Sequence, residues 1–278
     1  MTRTALVTGS NQGLGLAVVR RLCRTLEPGS TVYLTARHEE RGREAVELLR
    51  SEGLSPAFHL MDVSDDASVR ACAAAIASEH GGIDVLISNA TSRIARDVPF
   101  PEQVAGMVDT NNRGTRRILD AFGPLLNDGA RLVVMASSFG SLRELDPRLH
   151  SRFDVGAISL DGLDAVMDDY VRAVQEERAA DEGWPDWINV PSKIAQVAAV
   201  KIFEQSLGEQ AVKRDILVNA SCPGLVDTGA SRPWFADMSQ AQSPDDAAVD
   251  VVWLATLPAG TREPHGELVQ HRRVLPWT

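Results

Sequence analysis

The segment Thr8-Gly9-Ser10-Asn11-Gln12-Gly13-Leu14-Gly15 holds three glycines within seven residues, between an apolar run and a helical pattern. Glycine lets a chain turn tightly and brings backbone N–H groups close to a ligand, and a helix that starts there adds the positive end of its dipole. That chemistry suits a pyrophosphate. A glycine-rich loop alone is a weak signal, but here it follows a strand and opens a helix at the start of a βαβ unit, the context a dinucleotide site requires. The bland alternative is a glycine-rich connection with no ligand. The end of the second strand sets cofactor choice: an acidic residue there would bind the ribose 2′-hydroxyl of NAD, and an arginine accommodates the 2′-phosphate of NADP. The chain has Thr35-Ala36-Arg37, with Glu39 and Glu40 only later, on the following helix. The expectation is NADP(H), unless Arg37 is simply a solvated surface charge.

These residues need a scaffold of alternating strands and helices. Strands are expected at Thr4–Thr8, Thr31–Ala36, Ala57–Met61, Asp84–Ser88, Arg131–Ala136 and Ile216–Ala220, with a seventh, edge strand at Gly266–Gln270. Leu14, Ala17, Val18 and Leu22 recur at helical spacing. Further helices are expected over Glu39–Ser51, over Ser64–His80 with Ser64 as N-cap, and over Glu102–Leu126, Lys193–Lys213 and Asp245–Thr256. Alternation of this kind demands right-handed crossovers and a parallel sheet covered on both faces, a doubly wound Rossmann-type α/β fold in one domain over residues 1–278. One segment, residues 142–187, is too long for an ordinary connection. Its middle, Leu160 to Glu177, places Leu163, Val166, Met167, Tyr170, Val171 and Val174 on one helical face, so it reads as a helical insertion able to wall a substrate pocket.

The chain of 278 residues is 44% apolar, enough for a sizeable core. Its formal net charge of −10 and 5% aromatic content argue against a nucleic-acid partner. No basic segment followed by a long apolar run marks a signal peptide, and no apolar run approaches membrane-spanning length. The three cysteines, Cys23, Cys72 and Cys222, show no metal-ligand spacing and fit a reduced, cytoplasmic protein without a metal.

The glycine turn, Asp62-Val63 after the third strand and Asn89-Ala90 after the fourth resemble those of the short-chain dehydrogenase/reductases. The resemblance runs over nearly the whole chain. It is closest to the monomeric carbonyl reductases through Leu34–Arg37, Glu52–Pro56, Glu182–Pro185, Cys222–Gly224, Pro264–Gly266 and the placing of the insertion. In that subgroup the insertion covers the helices that other members use for tetramers, so the resemblance implies a monomer acting on a small molecule. It also implies that Gly9, Asn11, Gln12, Gly13, Leu14, Gly15, Arg37, Asp62, Val63, Asn89 and Ala90 hold NADPH. Pro223, Gly224, Val226 and Thr228 would line its nicotinamide end. Asn111 matches a helix asparagine that supports a proton relay, Ser138 (beside Ser137) a serine that hydrogen-bonds the substrate oxygen, and Lys193 a lysine that binds the nicotinamide ribose. Each has a bland alternative: a helix-surface asparagine, serines that end a strand, a solvated lysine.

Three residues depart from the family pattern. Thr91 stands where the family has glycine and threatens to crowd the backbone near the cofactor. Gln12 stands where NADP-preferring relatives often carry a basic residue. The Tyr-x-x-x-Lys motif reads Asn189-Val190-Pro191-Ser192-Lys193. The family tyrosine gives its proton to a carbonyl oxygen as hydride arrives, whereas an asparagine amide can donate a hydrogen bond but no proton. The only tyrosines, Tyr33 and Tyr170, lie outside the motif. Three functions stay open. One is a reductase that draws its proton from Asp186, Lys193 or a water held by Asn111 and Asn189, or that reduces an iminium needing none. Another is a redox-silent enzyme of cyclisation, isomerisation or dehydration. The last is an NADPH-binding protein without turnover. Trp184, Trp187, Trp234, Phe235 and Met238 fall in segments that either surround the pocket or pack ordinarily.

Overall fold

Short aliphatic runs with almost no polar interruption make buried parallel strands, because both faces of such a sheet are covered by crossover helices. The computed structural model, which describes residues 2–278, has one eight-stranded sheet: β1 (Thr4–Val7), β2 (Thr31–Ala36), β3 (Ala57–Leu60), β4 (Ile83–Ser88), β5 (Leu126–Met135), β6 (Leu217–Ser221), β7 (Leu268–Gln270) and β8 (Arg273–Leu275). The order across the sheet is β3-β2-β1-β4-β5-β6-β7-β8. All neighbouring pairs are parallel except β7 and β8. The chain reverses between β1 and β4, the switch point where open α/β sheets bind ligands at the carboxyl ends of their strands.

Alternate residues of each strand feed two cores. Leu6, Tyr33, Leu86, Leu132 and Val218 face one side, under α3 (Asp66–His80), α4 (Phe100–Val108), α5 (Gly114–Phe122), α6 (Leu160–Gln175) and α7 (Asn189–Leu207). Ala5, Val7, Leu34, Val85 and Val133 face the other, under α1 (Gly13–Thr25), α2 (Glu39–Ser51) and α9 (Pro244–Ala255). Among the described residues, no helix is long and apolar enough to cross a membrane.

Four sequence expectations need correction. β7 is not the edge: the left-handed pair His271 and Arg272 turns the chain back, and β8 pairs antiparallel outside it. Asp65, not Ser64, caps α3, its side chain accepting from the Ala67 N–H, while Ser64 hydrogen-bonds the Asp62 carboxylate. The helix expected over Glu102–Leu126 is three pieces, because a π-helical turn at Asp109–Arg113 separates α4 from α5. The helix expected from Lys193 begins four residues earlier, at Asn189, and ends at Gly208, whose φ of 49° breaks it before the short α8 (Glu209–Lys213).

The insertion forms a layer rather than a linker. Its helix α6 packs against α4 and α7. Arg113 pairs with Asp168, and Arg116 with Asp161, which ties α6 to the helical segment beneath it. Trp184 is a packing residue: it is buried and stacks near Tyr170, centroids 4.8 Å apart.

Candidate active site

The glycine turn is wedged against the end of β4. The Thr8 hydroxyl accepts from the N–H groups of Asn89 and Ala90 at 2.9 and 2.8 Å, and the Asn89 amide donates to the carbonyls of Thr8 and Gly9. A β-carbon on Gly9 would lie 2.8 Å from the Ala90 Cα, and one on Gly15 would lie 2.5 Å from the Asn89 amide nitrogen, so bare backbone is required at both. Ser10 turns inward and bonds the Val7 carbonyl. Gln12 sits at the N-cap of α1, exposed, without a side-chain capping bond. The first N–H groups of α1 are thereby left to a ligand, and the cradle fits a dinucleotide pyrophosphate. Thr228, on the loop after β6, lies against Gly13. The same loop carries Pro223, Gly224 and Val226, with the Gln242 side chain bonded to the Pro223 carbonyl. Arg37 is exposed just beyond the end of β2, and Asp62 and Val63 follow β3. Asn11, Leu14 and Ala90 are half-buried around this crevice.

At the far end of the crevice, Lys193 is 8% exposed. It is therefore no solvated helix charge. Its Nζ donates to the Met135 carbonyl at 3.2 Å, at the end of β5, and to Gln196 Oε1 at 2.7 Å. Burial pulls its ammonium down to about 8, opposed by the neighbouring Cys222 thiol, which burial itself pushes up. The Ser138 hydroxyl and N–H and the Gly224 N–H face that thiol. Ser138 is exposed at the strand end, and Ser137 accepts from the Phe139 N–H.

Asn111, 1% exposed, is likewise no surface residue. It sits in the π-helical turn, with its side chain directed at the loop after β4 and at α7. Its Oδ1 accepts from Thr91 Oγ1 at 3.1 Å and the Ser92 N–H at 2.8 Å, and its Nδ2 donates to Ser192 Oγ at 3.2 Å. The Thr91 hydroxyl is thus turned onto Asn111. Asn189 is half-buried at the first turn of α7, four residues before Lys193. The helix geometry sets the two on one face. Tyr170 is fully buried in the insertion, its hydroxyl reaching the Ile188 carbonyl at 3.4 Å.

The structure adds residues that motif reading passed over. Gln196, Thr115, Asn112 and Ser192 are buried around Lys193 and Asn111. The available signal was Gln196 itself, a lone carboxamide in the apolar run from Ile194 to Val200, at i+3 from Lys193. Across the opening, Trp187 and Trp234 meet edge to face with centroids 4.4 Å apart, and Trp234 Nε1 donates to the Ile94 carbonyl. These two join the α7 entry, the post-β4 loop and the post-β6 loop. Phe235 is exposed and Met238 half-buried.

A crevice at the switch point, a bare-backbone phosphate cradle and a buried lysine on the helix beside β5 define a dinucleotide-dependent hydride-transfer fold. Residues 3–145 match the family model for short chain dehydrogenase, and the chain belongs to the short-chain dehydrogenase/reductase family. It is 38% identical over 277 residues to carbonyl reductase [NADPH] 1 of Bos taurus and 37% identical to that of Homo sapiens, with 98% of each chain covered in both cases. Salutaridine reductase from Papaver somniferum superposes with a TM-score of 0.82 at 25% identity, covering 96% of this chain and 99% of that one. Menthone neomenthol reductase from Mentha piperita gives 0.77 at 25% identity, covering 96% and 98%.

Proposed function

We propose that this protein is an NADPH-dependent reductase that delivers hydride to a C=O or C=N group of a small, fairly apolar molecule without a tyrosine acid. That it is an oxidoreductase using NADPH follows from its family and from full-length likeness to carbonyl reductases [NADPH]. The supporting observation for the finer reading is the buried lysine, fixed between β5 and α7, one helical turn from an asparagine in the proton donor's place.

The reduced nicotinamide, when bound, supplies the hydride. The turn Gly9–Gly15 holds the pyrophosphate by its N–H groups, with Asn11, Gln12 and Leu14 beside it, and Asn89 braces the turn from behind. Arg37 meets the 2′-phosphate. Asp62 and Val63 border the adenine end. Ala90, Pro223, Gly224, Val226 and Thr228 border the nicotinamide end. Lys193 binds the ribose through an N–H not engaged by Met135 or Gln196. Ser138 and Asn189 orient the acceptor by donating hydrogen bonds. The Trp187–Trp234 pair excludes water from the acceptor's apolar body. Loss of a general acid costs roughly 10²–10⁴ in rate, which leaves the positioning contribution in place. A carbonyl oxygen would take its proton from water at the opening, and an iminium carbon would need none. The packing of the insertion helix α6 on α4, with the Arg116–Asp161 ion pair to α5, supports a monomer.

The test is oxidation of NADPH, followed by absorbance, against ketones, quinones, enones and cyclic imines, with cofactor binding confirmed by fluorescence. Oxidation with any class is expected, with the cyclic imines fastest. Tight NADPH binding with no oxidation across all four classes, together with an isomerised or dehydrated product of unchanged redox state, would replace this reading with a redox-silent enzyme.

A further inference from the structure

Gln196 stands one turn beyond Lys193 on α7 and is 2% exposed. Its carboxamide is a bridge. Oε1 accepts from Lys193 Nζ at 2.7 Å, while Nε2 donates to the Asn111 carbonyl and to Thr115 Oγ1, both at 3.2 Å. Thr115 Oγ1 in turn donates to the same Asn111 carbonyl at 2.6 Å. That carbonyl, freed for such partners by the π-helical turn, thus receives two side-chain donors. Lys193 has Met135 and Gln196 as acceptors, which leaves one ammonium N–H for the crevice.

We infer that Gln196 is a positioning residue that clamps Lys193 as a fixed cation and closes the proton route between the lysine and the Asn111 carbonyl. A carboxamide is both donor and acceptor, but its nitrogen does not release a proton at ordinary pH, so it links the two groups without relaying between them. A hydroxyl or a water in the same place would pass protons. The consequence for the acceptor rests on the hydride-transfer reading above. With Asn189 in the donor's place, the remaining Lys193 N–H given to the ribose and Gln196 closing resupply behind the lysine, no proton carrier links the interior to the acceptor. The matched substrate class is a cationic C=N group: hydride from NADPH converts the iminium to a neutral amine and leaves NADP⁺, with no proton consumed. A ketone by this route must take its proton from solvent at the opening.

The clamp is testable without turnover. The chain has only three lysines, Lys193, Lys201 and Lys213, so each side chain can be followed by NMR of ¹³C-labelled lysine and assigned by Lys→Arg replacement of the other two. The Cys222 thiol at the end of β6 is the titratable neighbour of Lys193, and Cys222→Ser removes its influence from the titration. Gln196→Leu is expected to lower the Lys193 midpoint by roughly half a pH unit or more, since an acceptor for the ammonium is lost, and Gln196→Glu to raise it. Midpoints unchanged in both variants would overturn the clamp.

The closed route is read in a background that can use it. Gln196→Ala leaves a space lined by Lys193 Nζ, the Asn111 carbonyl and Thr115 Oγ1, three polar partners suited to one water. In Asn189→Tyr protein, adding Gln196→Ala is expected to raise kcat for ketones by about tenfold, with KM little changed and a larger solvent isotope effect. Ketone reduction by Asn189→Tyr alone that equals or exceeds the double variant, both folded and binding NADPH, would overturn the closed route. Shifted lysine midpoints with no turnover in any variant would leave the clamp standing, removing the hydride-transfer reading and with it the inferred substrate class.

Discussion

The two ends of the crevice are built on different principles. At the proposed phosphate end the surface offered is backbone, and side chains such as Asn89 and Thr8 only brace it. At the proposed acceptor end the surface offered is side chains, and the backbone, through the π-helical turn and the first turn of α7, only aims them. The first end tolerates little change, because an added β-carbon meets other backbone. The second can exchange a phenol for a carboxamide, or place Gln196 where nothing polar is needed for packing, without altering the fold. Reactivity can therefore drift at one end while cofactor binding is held at the other.

The contrast is sharpest for substitutions that pit the ends against each other. Gly9→Val places a β-branched residue at a φ of 58° and drives it into Ala90. NADPH affinity should fall by about a thousandfold, some 4 kcal/mol, in a fluorescence titration. A loss under tenfold would show that the turn yields and that the two ends are not so different.

Asn189→Tyr should leave that affinity nearly unchanged while raising ketone reduction by about a hundredfold, the lower end of a general acid's contribution. No gain in a folded, NADPH-binding variant would mean that the acceptor end has been rebuilt beyond its one missing acid.

Lys193 offers a pH-resolved version. Burial holds its ammonium at about 8 rather than 10.5, so the folded state sheds this proton before the unfolded state does. The cost of the buried charge is full below pH 8 and is relieved as pH rises toward 10.5. Relative to Lys193→Met, the wild type should therefore gain stability across that window, on the order of 3 kcal/mol, in urea denaturation at a series of pH values. A flat difference would place the lysine in water and dissolve the contrast between a buried cation and an exposed turn.

The smallest effect belongs to the opening. Trp234→Ala removes one ring of the Trp187–Trp234 pair and should lower kcat/KM for a bulky acceptor by about tenfold, with NADPH affinity untouched. An equal loss in both quantities would assign the pair to the fold rather than to substrate.

The alternation of short apolar runs with helical periodicity determined the doubly wound sheet, since strands buried on both faces must be apolar throughout and their crossovers must be long. The glycine turn was equally legible, because its requirement is a backbone one that only glycine meets. The position of Asn189 four residues before Lys193 was plain, and it carries the proposal that an asparagine stands in the tyrosine's place. What the sequence left open was the environment of each polar residue. Periodicity ran Glu102–Leu126 as one helix because Val104, Met107, Val108, Ile118, Leu119 and Phe122 keep helical spacing across the π-helical turn, yet that turn sets Asn111 toward α7. Lys193 read equally well as a surface charge, and only the packing of α7 on β5 gave it a carbonyl and a carboxamide for partners. Gln196 carries no motif at all. Its bridge joins residues 85 apart in the chain, and a contact of that kind exists only once the helices are packed.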